Sequence, residues 1–130
     1  MSEMSLTKDN RGARLPRVLV LEDHADTLAF LGRILLDLPV DAIPTASCNA
    51  ARYAAKTLGD FDILITDVTL DDGDGIELAQ ELKQAHNCAV VVMSGHDAPP
   101  EGPPSWVELW LVNPVRLPEL KKAIDVLSPK

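Results

Sequence analysis

Two hydrophobic rhythms alternate along the chain. Arg17–Leu21 (RVLVL) is a short β-branched run suited to a buried strand. From Asp26 onward, Leu28, Leu31, Leu35 and Leu38 recur at helical spacing until Pro39 ends the pattern. Val40–Ala46 predicts a weaker strand, and Pro44, with no amide to donate, places it at a sheet edge. Ser47 suits the N-cap of an Ala-rich helix over Cys48–Leu58, and Gly59 stands where a left-handed C-terminal residue belongs. Phe61–Thr66 (FDILIT) is the next apolar strand. After the loop Asp67–Gly73, Asp74 and Glu77 form a D-x-x-E capping box, opening a helix with Ile76, Ala79 and Leu82 inward. Ala89–Met93 (AVVVM) is a further buried strand. Ala98–Ser105 (APPEGPPS) then breaks the rhythm, because its four prolines exclude a helix. Val107–Val112 resumes as strand. Pro118 fits a first helical position, and Leu117, Leu120, Ile124 and Leu127 make an apolar stripe.

The resulting order is β-α-β-α-β-α-β, a Pro-rich loop, then β-α. Such alternation specifies an α/β fold, a parallel sheet with helices on both faces. Right-handed crossovers and an edge position for the second strand fit a flavodoxin-like, doubly wound, five-stranded sheet of order 2-1-3-4-5. The Pro-rich loop stands where a fourth helix would pack. Residues 1–16 are polar, without apolar period, and predict a mobile N-terminal tail. Residues 17–130 are the right length for one domain.

Charge narrows the function. Twenty acidic and twelve basic residues give a net −8, unevenly spread. Residues 1–17 carry +2 and the remainder −10, with seven acids and no base between Asp60 and Glu77. An acidic surface argues against binding nucleic-acid phosphates. No run of about 18 apolar residues predicts a membrane span, and the first residues lack the apolar core of a signal peptide. Cys48 and Cys88 form neither a disulfide framework nor a CxxC pair, so a reducing, cytoplasmic setting is the expectation.

In sheets of this order, ligands bind at the carboxyl ends of the central strands. Glu22 and Asp23 follow the first strand, Asp67 the third, Ser94, Gly95 and His96 the fourth, and Asn113-Pro114 the fifth. Three carboxylates in one pocket repel one another unless a proton or cation intervenes. Hard oxygen donors of this kind select Mg²⁺ or a similar ion. DDGDG lacks the DxDxDG spacing of a calcium loop, and its aspartates read as loop and cap residues. His24 and His86 read as incidental.

Over about residues 17–127 the chain resembles the response-regulator receiver domains of two-component signalling. The resemblance rests on VLVLED (Val18–Asp23), FDILITDVTLDDGDGIEL (Phe61–Leu78), VVMSG (Val91–Gly95) and LVNPVRLPELKKAI (Leu111–Ile124), in order and at strand ends. It implies that Asp67 accepts a phosphoryl group from a histidine kinase or phosphotransfer protein. Glu22, Asp23 and Asp67, with the backbone carbonyl of Thr69, would hold Mg²⁺, and the Ser94 hydroxyl would bond the phosphoryl group. Thr69 and His96 would flank that group, and Trp110 occupies the place of the family's switching aromatic. A downstream protein partner is implied, with a homodimer as a further expectation and no catalytic turnover.

Two positions depart from the family pattern. Asn113 replaces the lysine that precedes the last proline, exchanging a charge-assisted bond for a neutral one. Arg116 is nearby but at the wrong spacing to compensate. The Pro-rich segment replaces the helix of the family's output face, making Trp106 and Trp110 either interface anchors or packing under that loop. These departures motivate an alternative, a pseudo-receiver interaction module that phosphorylation does not switch. A haloacid-type phosphatase wants an aspartate at position 69, which is threonine, and a flavodoxin would not place EDHADT against a phosphate.

Overall fold

The computed structural model describes residues 14–129. Its main sheet is formed by β1 (Arg17–Leu21), β2 (Asp41–Thr45), β3 (Ile63–Asp67), β6 (Ala89–Ser94) and β7 (Leu109–Val112). All neighbours are parallel, in the order β2-β1-β3-β6-β7, which is 2-1-3-4-5 among the five long strands. Pro44 sits on the edge strand opposite Val20, where its missing amide costs no ladder bond. A two-residue antiparallel pair, β4 (Thr69–Leu70) with β5 (Gly73–Asp74), forms inside the segment expected to be plain loop.

Alternation of side chains sends each central strand to both faces. Leu19, Leu21, Leu64, Val90 and Val92 pack under α2 (Cys48–Leu58) and α3 (Gly75–His86). Val18, Val20, Ile63, Ile65, Val91 and Met93 pack under α1 (Ala25–Leu36) and α4 (Leu117–Leu127). The sheet is therefore covered on both sides, as continuous apolar strands require.

Between β6 and β7 no helix forms among the described residues. The chain turns instead at Pro99–Gly102, where Gly102 has φ +92° and its amide donates to the Pro99 carbonyl. Trp106 and Trp110 lie half-buried against the α2–α3 core, filling part of the face left uncovered. The Asn113–Pro114 peptide is cis.

Several local expectations shift. Gly59 has φ +79° but ψ −129°, so it needs glycine without adopting the left-handed helical conformation. The left-handed cap belongs to Asn87, after α3. Leu117, not Pro118, is the first residue of α4, and its side chain is exposed; Leu120, Ala123 and Ile124 form the buried stripe. Asp74 accepts from the amides of Ile76 and Glu77, the forward half of the expected box. Of the expected tail, residues 1–13 lie outside the described residues. At its end, Arg14 pairs with Asp62 at 3.2 Å and the Pro16 carbonyl accepts from Asp41. No described helix is long and apolar enough to cross a membrane.

Candidate acidic site

The carboxyl ends of β1 and β3 bring Glu22, Asp23 and Asp67 together with His24. One ligand atom of each lies within 4.8 Å of the others. At that separation two carboxylates repel by on the order of 3 kcal/mol at an effective dielectric near 20. Glu22 is buried; its Oε2 accepts from the His24 amide and lies 3.0 Å from His24 Nδ1. Asp23 Oδ1 is 3.4 Å from the same nitrogen, and Oδ2 accepts from the Asp71 amide at 2.6 Å. Asp67 Oδ1 accepts from the Val68 amide at 2.8 Å.

Partial burial pushes the Asp67 carboxyl above its usual range. The Val68 amide opposes the shift, and the charges of Glu22 and Asp23 add to it. His24 is raised, first by its hydrogen bond to Glu22 and then by the acidic charges around it. His24, which reads as incidental in the sequence, stands against the acid cluster, its Nδ1 3.0 Å from Glu22 Oε2 and 3.4 Å from Asp23 Oδ1. Its only sequence signal is its place directly after the Glu22–Asp23 pair.

Asp67 is held by a close backbone approach. Gly75, the first residue of α3, donates its amide to the Val68 carbonyl at 2.7 Å. A Cβ on Gly75 would stand 1.8 Å from the Asp67 carbonyl oxygen, so only glycine fits. The Thr66 hydroxyl, fully buried, donates to that same oxygen at 2.8 Å.

Ser94, at the end of β6, is buried beside this cluster. Its Oγ accepts from the His96 amide at 3.0 Å, which leaves the hydroxyl proton free to donate elsewhere. Its carbonyl accepts from the Asn113 amide at 2.7 Å, tying β6 to the residue after β7. A cleft of about 590 Å³ opens beside Asp67, bordered by Glu22, His24, Phe30, Gly95, Asn113 and Pro114 among others. Among the described residues no lysine or arginine lines it. Arg116 caps α4 instead, its amide donating to Glu119. Thr69 is exposed on β4, opposite Asp74. His96 is exposed outside the cleft; its carbonyl accepts from the Trp110 indole N–H at 3.0 Å.

The donor set is mostly hard oxygen: three carboxylates converge from two adjacent strand ends, with the His24 imidazole beside them and no thiolate, and the three carboxylates fit a hard divalent cation.

Comparison with known proteins gives one consistent answer. The family model for the response regulator receiver domain matches residues 18–103, ending before β7 and the Asn113–Pro114 peptide. The two-component response regulator ORR21 of Oryza sativa subsp. indica is 32% identical over 128 residues, 91% of this chain. The chain spans only 18% of that relative's length. The receiver domain of a Francisella response regulator superposes with TM-score 0.76 at 26% identity, covering 86% of this chain and 95% of that one. A Thermotoga maritima response regulator, solved in complex with Mg²⁺ and BeF, superposes with TM-score 0.75 at 19% identity, covering 87% and 99%.

Proposed function

This chain belongs to the response-regulator receiver domain family, and from that premise we propose that Asp67 accepts a phosphoryl group from the phosphohistidine of a sensor kinase or phosphotransfer protein. The observation that carries the reading is the placement of the Asp67 carboxylate at the end of a central strand, within 4.8 Å of the Glu22 and Asp23 oxygens. One Asp67 oxygen attacks phosphorus. The donor's N–P bond breaks, its electron pair stays on the imidazole nitrogen, and that nitrogen takes up a proton. The product is a mixed anhydride on Asp67.

Glu22, Asp23 and Asp67, with the Thr69 carbonyl, would hold Mg²⁺, which would supply positive charge to the phosphoryl oxygens when bound. The residues divide the remaining work. Glu22 is buried and fixed by the His24 amide, so it offers a preset oxygen. Ser94 donates its free hydroxyl proton to a phosphoryl oxygen, and Asn113 offers a neutral amide where the family carries a lysine. Thr69 and His96, matched by resemblance to the positions that flank the phosphoryl group in the family, bear on how water reaches the anhydride. The protein accepts and relays the group without turnover. Its setting is the cytoplasm, and its output passes to a downstream protein, with self-association as one route. The intact carboxylate triad favours this reading over an interaction module that phosphorylation does not switch.

Incubating the full chain with acetyl phosphate and Mg²⁺ tests it by intact mass. One phosphoryl adduct is expected in the wild type and none in Asp67→Ala. An unlabelled wild type, or an adduct that survives Asp67→Ala, refutes the assignment.

A further inference from the structure

The first turn of α2 has three amides without helical partners, those of Cys48, Asn49 and Ala50. Ser47 Oγ accepts from Ala50 at 3.0 Å, as an N-cap does. The other two are taken from outside the helix. Asp72 Oδ1 accepts from Cys48 at 2.8 Å and Oδ2 from Asn49 at 3.1 Å. Asp72 is thus held bidentate, 24 residues along the chain from the helix it caps. Its side chain lies at the positive end of the α2 dipole, where a carboxylate is favoured.

Asp72 belongs to the tight turn between β4 and β5, and that turn touches the acidic site. The amide of its neighbour, Asp71, donates to Asp23 Oδ2 at 2.6 Å. A Cβ on Gly73 would stand 3.1 Å from Cys48 Sγ, so the turn sits close against α2. One short piece of backbone is therefore pinned at both ends, by Asp72 to α2 and by Asp71 to Asp23. With Oδ2 engaged, Asp23 turns Oδ1 toward the cluster, 3.4 Å from His24 Nδ1.

Resting on the cation site proposed above, we propose that Asp72 is a positioning residue for that site. It anchors the β4–β5 turn on α2 so that the Asp71 amide fixes the Asp23 carboxylate toward the cation. Outer partners of this kind set metal affinity by roughly 10-fold to 100-fold.

Calorimetric titration of the full chain with MgCl₂ tests the proposal beside thermal melts in chelator. Asp72→Ala is expected to bind Mg²⁺ roughly 10-fold more weakly. Asp72→Asn keeps one acceptor oxygen and is expected to recover part of that loss, and it serves if the alanine variant fails to fold. Ser47→Ala removes a cap from the same helix end without touching the turn. It is expected to lower Tm while leaving Mg²⁺ affinity unchanged. Wild-type affinity in Asp72→Ala, or equal weakening in Ser47→Ala, overturns the positioning role alone. A wild type that binds no Mg²⁺ overturns the cation site and the positioning role together.

Discussion

Replacing Gly75 by alanine tests how Asp67 is held. The added Cβ would lie 1.8 Å from the Asp67 carbonyl oxygen and 2.9 Å from Thr66 Oγ1, against an ordinary contact of 3.4 Å or more. The gap must open by about 1.6 Å, and the atom in the way is backbone at the end of a central strand. Opening it also stretches the Gly75–Val68 hydrogen bond, now 2.7 Å. Overpacking costs about 1–3 kcal/mol, and a lost backbone bond about 1 kcal/mol more. Alanine's better helix propensity returns at most about 1 kcal/mol. With that return taken in full, the net loss is about 1–3 kcal/mol, or roughly 4–12 °C in Tm for a domain of this size. Thermal melts by circular dichroism in chelator read that loss. Moving Asp67 by about 1 Å also costs about 100-fold in reaction rate, read as slower labelling by acetyl phosphate at a temperature where the variant is folded. A Gly75→Ala protein that melts at or above the wild type and labels at the same rate would refute the close-approach argument.

The remaining predictions concern stability, charge and access. Gly32→Ala, inside α1 with no atom within 4 Å of the new Cβ, should gain about 0.5–1 kcal/mol; a lower Tm counts against it. Asn113→Lys puts a charge in the cleft beside Glu22 and Asp67 and should speed acetyl phosphate labelling roughly 10-fold, as a charge-assisted bond warrants; an unchanged rate removes Asn113 from the phosphoryl site. Asp67→Asn should raise Tm in chelator at pH 7. Because folding raises the Asp67 carboxyl above its usual 3.8, its ionised form opposes folding. The gain should be full above the folded value, fade as pH falls from there to about 3.8, and be absent below it, so a gain that persists at pH 3 contradicts the cause given. Cys88 is buried, with a thiol pushed up to about 11 by that burial, and should resist iodoacetamide at pH 8 until the protein unfolds.

Much of this architecture is legible in the sequence because it is periodic. Strand runs such as AVVVM and FDILIT, and the leucine spacing of α1, report burial on two faces and on one face respectively. The acid positions follow from strand ends, so Glu22, Asp23 and Asp67 could be grouped before any distance was known. What periodicity misses is contact between side chain and backbone across loops. Asp72 reads as one of the loop and cap residues of DDGDG, and the sequence does not say that the helix it caps starts 24 residues away. Nothing in the periodic pattern singles out Gly75, whose missing Cβ makes room for the Asp67 carbonyl. His24 reads as incidental because its partner, Glu22, is only two residues away and shows its burial only in the fold.

The Pro-rich segment shows the same limit from the other side. Four prolines exclude a helix between β6 and β7, but they do not say what holds the Ser94 loop in its place. Three bonds do so: His96 N–H to Ser94 Oγ, Asn113 N–H to the Ser94 carbonyl, and Trp110 Nε1–H to the His96 carbonyl. Two of the three donors come from β7 or the residue just after it, so β7 carries the bracing that a packed helix would otherwise share. Proline lowers the entropy the loop loses on folding, which lets a short, helix-free connection stay ordered with few contacts. Trp110 lies half-buried against the α2–α3 core while its indole N–H is engaged at the Ser94 loop. The Trp110 indole therefore reaches from the face where the helix is missing to the loop after Ser94, and replacing it removes one of the three bonds that hold that loop.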